Sequence, residues 1–495
     1  MTAPGPILPP LPYALITYPN GGSMTKPQTN RLQAYARVMA LAWPTIFENI
    51  MVTMVNYVDT AMVGSLGKEA TSAVAINTSP MWLINNISMA ISIGGTVMVA
   101  RNWGAGDHER AGSFARQAAV LGAALGAVMM LAVFLLAPYI PRWMGADAAI
   151  LPTATIYLRT LSISFIPHYA GLMMSGILRG SGDTKTPMRV SMGVNLLNVA
   201  GNFLLIYPIR EIAIFPRTWP IHFSFTMWGA NLGVFGAAIA SAASMALAGV
   251  FLLFYLSRHQ SALRFTARQS YRLHKNDLRD MMRVGLPAAG ERIVISLGSA
   301  FYTVIVANLG VAQLAAHHLA ITAESICYNP VYGFSTAATT MTGQELGAGR
   351  PDEAERYGKI NIRFGLILMA AAGLVLYFFA EPLIRIFTPD PEVIRLGADV
   401  LRIIAFVEPF FALSIVASGA LRGAGDTVAP LIIGMGSMWG LRLTLAFVLV
   451  RVFHLGLSGA WIAMAVDLTA RGLLTYLRFR SGKWKAVSEK LRASA

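Results

Sequence analysis

Cysteine is almost absent: Cys327 is the only one in 495 residues, and it lies in an apolar stretch. One cysteine makes no intrachain disulfide, no thiolate metal cage and no paired redox motif. Charge is scarce too. Asp, Glu, Lys and Arg form 13% of the chain, about half the share of a soluble globular protein, while hydrophobic residues reach 55%. This composition excludes an ordinary soluble protein and leaves the lipid bilayer. At about 20 apolar residues per span, the chain holds roughly 12 spans and no large soluble domain. A Gly-x-x-x-x-Gly-Lys loop, a Ser-Lys pair and a His/Asp metal constellation are all missing, which argues against ATP drive and against an intramembrane enzyme. No cofactor is expected.

What is present is a series of twelve apolar segments, at 36–58, 71–98, 114–137, 150–176, 187–208 and 232–256, then 284–308, 314–341, 361–380, 397–420, 428–450 and 456–477. In lipid each segment must satisfy its own backbone, and the alternation of barrel strands is absent, so all twelve are expected to be helices. The fold class is an all-α membrane protein. Acids are outnumbered by bases, 24 against 39, for a net charge of +15. No basic helix or aromatic RNA-binding pattern accompanies the excess, so nucleic acid is not an expected partner. Membrane topology accounts for it: with the amino end in the cytoplasm, about 27 Lys and Arg fall on the cytoplasmic side and about 7 outside. Both termini are then cytoplasmic.

The chain divides into a tail at 1–34, a first six-helix bundle at 35–257, a basic linker at 258–283, a second bundle at 284–480 and a tail at 481–495. The first tail, rich in Pro, Gly and Thr, reads as disordered and not as a signal peptide. The linker carries Arg258, Arg264, Arg268, Arg272, Lys275, Arg279 and Arg283, suited to an anionic leaflet.

An internal repeat relates the halves. Leu178-Arg179-Gly180-Ser181-Gly182-Asp183-Thr184 returns as Leu421-Arg422-Gly423-Ala424-Gly425-Asp426-Thr427, a spacing of 243 residues (421 − 178). The same spacing maps Pro44 onto Pro287, Glu48 onto Glu291, Gly104-Ala105-Gly106 onto Gly347-Ala348-Gly349 and Arg159 onto Arg402. The last helix of each half is out of this register, which places an insertion of about 20 residues around 208–231, expected as an external loop. Six helices per repeat give both halves the same orientation, hence two parallel bundles facing a central cavity.

These motifs resemble the multidrug and toxic compound extrusion (MATE) family. The resemblance rests on Val58-Asp59-Thr60 with Gly64, on the paired Leu-Arg-Gly-x-Gly-Asp-Thr and Gly-Ala-Gly motifs, and on Asn195, Asn198 and Asn202; it covers roughly residues 35–480. Asn202, where other branches carry Asp, favours the NorM branch. The resemblance implies a V-shaped, alternating-access antiporter acting as a monomer in a bacterial inner membrane. It would expel organic cations or amphipathic drugs in exchange for Na⁺ or H⁺. A lipid-linked oligosaccharide flippase of the same superfamily is the rival, with Arg292 and Arg442 as its hints.

Six acids lie in the apolar segments: Glu48, Asp59, Glu291, Glu324, Glu408 and Asp467. Each costs several kcal/mol at mid-bilayer unless paired, protonated or facing water. Asp59 leads, because the resembled family places an ion- or proton-binding Asp there, and its repeat counterpart is Tyr302. Glu48 lies within roughly 20° of the same helix face, about 16 Å away. Asn195, Asn198 and Asn202 form one stripe at i, i+3 and i+7, open to ion coordination or to interhelical hydrogen bonding. Glu291 and Glu408 are candidates displaced from the branch's acid positions, which fall at Ile295 and Phe411. Their displacement still allows a cavity-facing role, while the symmetry of Glu48 and Glu291 argues partly for structure, with Arg292 a candidate partner. Glu324 lies near His317 and His318, which read as packing groups. Asp467 and Arg471 read as an i, i+4 ion pair.

Overall fold

The computed structural model describes residues 31–213, 224–258, 263–266 and 271–494. The first half is built from α1 (Arg31–Gly64), α2 (Lys68–Gly104), α3 (His108–Leu136), the short α4 (Ile140–Trp143), α5 (Leu151–Ser162), α6 (Phe165–Ser181) and α7 (Lys185–Leu205), then two strands and α8 (Gly233–Arg258). The second half follows with α9 (Lys275–Ala307), α10 (Val311–Tyr328), α11 (Val331–Gly347), α12 (Pro351–Phe378), the short α13 (Ala380–Arg385), α14 (Pro391–Ala405), α15 (Glu408–Gly423), α16 (Val428–Met435), α17 (Thr444–Phe447) and α18 (Gly456–Arg480). A final helix, α19 (Lys483–Ser494), lies beyond the last span.

Two pairs count as one span each. α5 and α6 meet at 53° and α14 and α15 at 58°, in both halves just ahead of a proline, Pro167 or Pro409. α10 and α11, separated only by Asn329 and Pro330, also make up one span. Each half then has six spans, and the fold is the expected all-α, twelve-helix, two-bundle architecture. Length and apolarity alone identify eight helices, or ten spans with the two bent pairs. The two spans that escape this measure are α7, with its Asn stripe, and α10/α11, with Glu324, His317, Gln344, Glu345 and five threonines. Polar residues within a span are what erase its apolar signal.

Two connections differ from expectation. α9 begins at Lys275, so residues 275–283 are helix and not linker; Asp280 and Met281 are buried, and Gln117 of α3 donates to Asp277. The segment after α7 is not a plain loop but an antiparallel hairpin, β1 (Pro208–Ala213) and β2 (Ser224–Ala230), because ladder bonds satisfy its backbone. Within the tail, Lys483–Ser494 forms a helix, α19. The first tail up to residue 30, residues 259–262 and 267–270 of the linker and residues 214–223 of the insertion lie outside the described residues.

The halves touch mainly at the end of the molecule that holds Arg31 and α19. There α2 and α11 cross at their C-terminal glycines: a Cβ on Gly104 would stand 1.9 Å from the Gln344 carbonyl oxygen, and one on Gly347 the same distance from that of Arg101. Only a residue without a side chain lets two backbones approach so closely. The repeated Gly-Ala-Gly is therefore one contact between the bundles; α2 also packs along α9, where a Cβ on Gly94 would stand 2.2 Å from the Met281 carbonyl oxygen and Ala90 is buried with Ala288 and Ala289, and α1 packs along α11. Around the glycine crossing Thr340 Oγ1 donates to the Arg179 carbonyl at 2.9 Å and Gln344 to the Gly180 carbonyl at 2.9 Å, while Arg37 pairs with Glu345 at 3.1 Å. Further along, Asn49 donates to the Asn329 carbonyl at the α10/α11 break, and Tyr57 to the Thr322 carbonyl.

Candidate functional site

Asp59 sits near the far end of α1, where α7 and α8 pack beside it. Asn202 donates to its Oδ1 at 2.7 Å. Asn198, with its amide nitrogen turned to Asp59, donates to the two carboxylate oxygens at 2.8 and 3.0 Å, and its own oxygen accepts from Ser241 of α8 at 3.2 Å. The i, i+4 spacing of Asn198 and Asn202 puts both amides on one face of α7, as the stripe requires. Asn195 lies one turn away, and its side-chain nitrogen is buried without a partner. The Asn202 oxygen is also buried without a partner. A carboxylate beside an uncommitted amide oxygen is a hard, oxygen-rich donor set. Tyr157 of α5 completes the surroundings, close enough to feel the charge of Asp59. Ser241 and Tyr157 were not legible as site residues, because neither belongs to a motif or a stripe.

A second group of acids lies inside the other bundle. Glu408 opens α15 at the bend ahead of Pro409; it is fully buried, and neither carboxylate oxygen has a hydrogen-bond partner. Glu324 of α10 is also buried, and its charge reaches both Glu408 and Arg442. Cys327, one turn on from Glu324, is near both. The bend brings Glu408 to this group although Phe411, not Glu408, holds the position expected for the branch; Phe411 instead stacks edge-on with Tyr328 at 5.4 Å.

Glu291 joins neither group. Arg422 of the second Leu-Arg-Gly motif holds its two oxygens at 3.0 and 2.9 Å, and Arg179 of the first motif holds Glu48 at 2.8 Å from each oxygen. The expected partner, Arg292, lies instead over the Tyr332 ring at 5.5 Å. The acidic face of α1 is thus split: Glu48 is consumed by an ion pair, and Asp59 is the acid that meets the Asn stripe. The motif aspartates cap and pair, Asp183 accepting from the Thr186 N–H at 3.0 Å and Asp426 bonding Arg478 at 2.9 Å. The left-handed turns they follow sit on Gly182 and Gly425, at φ of 100° and 82°.

Asp467 binds Arg471, as its spacing implies, at 2.8 and 2.6 Å. It binds Arg442 as well, at 2.7 Å. Arg442 arrives from a π-helical turn at Gly436–Leu443, where the wider turn re-aims the side chains after it. Its guanidinium lies 5.6 Å from the Tyr302 ring. At the repeat position of Asp59 the second bundle therefore holds a tyrosine facing a resident cation. His317 packs between Tyr302 and Trp461, both ring nitrogens without partners. Among the aromatic and methionine residues of the spans, Met81 and Tyr302 are buried, Trp82, Met89 and Phe301 are exposed, and Tyr328 and Tyr332 are half-buried. Among the described residues no group of three or more His, Cys, Asp and Glu is placed to hold a metal ion.

Comparison with known proteins agrees with the two-half fold. The MatE family matches twice, at residues 44–204 and 287–448, one match per half. The probable multidrug resistance protein NorM of Thermotoga maritima is 31% identical over 449 residues, covering 90% of this chain and 92% of that protein. The corresponding NorM of Xanthomonas campestris is 27% identical over 94% of this chain and 97% of its own length. Among solved structures, an outward-facing multidrug resistance MATE family transporter superimposes with a TM-score of 0.82 at 22% identity, over 92% of this chain and 97% of that one. A mutant of the Vibrio cholerae MATE transporter VcmN does so with 0.81 at 20%, over 91% and 97%.

Proposed function

The chain belongs to the MatE family, and on that premise we propose that it is a multidrug efflux antiporter that exchanges organic cations or amphipathic drugs for Na⁺ or H⁺. The observation that carries the reading is the Asp59 cluster: a carboxylate gripped by two amide donors, next to an amide oxygen with no partner. A cation or proton arriving there is met by acceptors already in place. Release of the drug and capture of the ion at one site oblige each to weaken the other. Asp59, Asn198 and Asn202 are the coupling group, with Asn195 one turn away. Glu324 and Glu408 form a second, internal acidic pair, since a buried carboxylate without donors is costly as a bare anion and is relieved by a proton or a cation. Glu291 serves as a positioning residue through Arg422.

The protein works as a multi-pass monomer of the bacterial inner membrane with both termini in the cytoplasm, a topology that the basic residues support. The end where the bundles meet is then the cytoplasmic end. The rival, a lipid-linked oligosaccharide flippase, needs free cations for phosphate. Arg442 is engaged by Asp467 and Arg292 lies on Tyr332, which weighs against it.

The test is purified protein in liposomes, with efflux of a fluorescent lipophilic cation followed under a Na⁺ gradient and, separately, a pH gradient. Acceleration by one gradient, lost in Asp59→Asn, is the expected result. No response to either, in correctly oriented and folded protein, sinks the antiport reading.

A further inference from the structure

α19 follows α18 after a turn at Gly482, where φ is 69°. Its buried residues Trp484, Ser488 and Leu491 fall at i, i+4 and i+7, one helix face, while Lys483, Glu489, Lys490 and Arg492 are exposed. That face is divided between the two halves of the molecule. Near its start, α19 is tied to its own half: Trp484 stacks on Phe479 at 5.7 Å and donates to the Phe479 carbonyl at 2.8 Å. Lys485 reaches Glu355 at 2.7 Å and Asp352 at 3.3 Å, and the Glu355 bond holds its ammonium above the ordinary lysine range.

Its later part is tied to the other half. Arg101, at the end of α2 and itself buried, donates to the Ser488 carbonyl at 2.8 Å and to its hydroxyl at 3.1 Å. Leu491 is buried in the apolar cluster of Val97, Met98 and Phe114. It also packs beside Gly425, so that a Cβ there would lie 3.1 Å from it. The helix crosses the seam where Gly104 and Gly347 meet.

We propose that α19 is a latch that holds the two bundles together at this end and so stabilises the state with the cytoplasmic side closed. When the bundles separate here, the Trp484 and Lys485 contacts stay within one half and survive. The Arg101–Ser488 bonds and the Leu491 contacts with Val97, Met98 and Phe114 join opposite halves and must break, while the packing of Leu491 beside Gly425 stays within one half. Interactions present in one state and absent from the other shift the balance by their own free energy. Charge-assisted hydrogen bonds and a buried leucine are together sufficient for a tenfold bias.

The experiment measures the distance between the halves in the full chain in lipid nanodiscs. Cys327→Ser removes the native thiol, and spin labels at Glu109→Cys and Pro351→Cys report separation of the α3 and α12 ends by pulsed electron resonance. In the parent chain the short distance dominates. In Leu491→Ser, in Arg101→Gln, and in a chain ending at Gly482, the ratio of long to short distances rises about tenfold, while Lys490→Ala, on the exposed face, leaves it unchanged. Each sample is monodisperse on gel filtration. If the truncated chain does not fold, the two point variants decide. Distance distributions identical to the parent in folded Leu491→Ser and Arg101→Gln overturn the latch. The inference rests on the alternating bundles of the proposed antiporter, but the readout is a distance and not transport. A shifted ratio without coupled efflux would leave the latch standing and sink the antiport reading.

Discussion

Arg422 holds Glu291 through a single guanidinium nitrogen, 3.0 Å from one carboxylate oxygen and 2.9 Å from the other. The pair repeats as Arg179 and Glu48, with the same 131 residues between partners. Both couple the end of a motif helix to the first helix of its own bundle, one turn beyond Pro44 or Pro287 within that helix. A symmetric tie of this kind is a structural part of each bundle. Removing one partner of a buried ion pair leaves the other uncompensated, at a cost of about 3–5 kcal/mol. Arg422→Gln is expected to lower the melting temperature in detergent strongly, and Arg422→Gln with Glu291→Gln to recover much of the loss. Ion affinity in the surviving double variant stays within about twofold of the parent. A large loss of ion affinity there, with stability restored, would return Glu291 to the coupling group.

The spans, the repeat and the Asp59 cluster were legible in the sequence because each is carried by spacing along one helix or between copies. The Asn stripe is a matter of i, i+3 and i+7, and one face of α7 meets one face of α1. The partners of the acids were not legible. Glu291 lies beside Arg292 in sequence, yet its ion pair is with a residue 131 positions away, and nothing local reports that. Glu408 reaches Glu324 because α14 and α15 bend by 58°, and a bend changes which faces meet. The tail at 481–495 is too polar to register as a span, although three of its residues share one helix face and find cover on the folded protein.

Asp59 and Asn202 bind each other at 2.7 Å, so their variants separate the acid from its support. Asp59→Asn keeps the size of the side chain and removes its charge, and is expected to abolish gradient-driven efflux with protein abundance unchanged. Asn202→Leu leaves the charge and removes both a donor and the uncommitted oxygen. If Na⁺ is the ion, loss of the amide oxygen raises the concentration needed for half-maximal efflux by about tenfold; if H⁺ is the ion, loss of a donor worth about 1.5–3 kcal/mol to the charged carboxylate lowers it by a similar factor. Equal behaviour of Asn202→Leu and the parent across an ion titration would remove α7 from the coupling group.

Glu408 is fully buried without a donor, whereas Asp467 is fully buried between two arginines. The same substitution therefore has opposite consequences. Glu408→Gln removes a charge that nothing compensates and is expected to leave stability equal or higher by about 1 kcal/mol. If the Glu324–Glu408 pair carries an ion, the number of ions exchanged per drug falls, read from the reversal potential of transport. Asp467→Asn strands two buried guanidinium groups and is expected to cost about 3–5 kcal/mol, seen as poor yield and early melting. A stable Asp467→Asn and an unfolded Glu408→Gln would invert the assignment of the two acids.

Gly104 and Gly347 meet backbone across the seam between the bundles, each with a carbonyl 1.9 Å from where its Cβ would stand. No rotamer relieves that clash, since the obstruction is main chain on both sides. Gly347→Val should force α2 and α11 apart while touching no part of the Asp59 cluster. The bundle itself survives, because Gly347 faces the other half and closes the end of α11. This end of the molecule is then expected to open in most molecules, measured as a long distance between labels at Glu109→Cys and Pro351→Cys. Binding of the coupling ion at equilibrium should remain within a few fold of the parent, while efflux stops because the closed state is out of reach. A Gly347→Val protein that still shows the short distance and still transports would mean that the two glycines tolerate a side chain, and that the close crossing does not define the closed state.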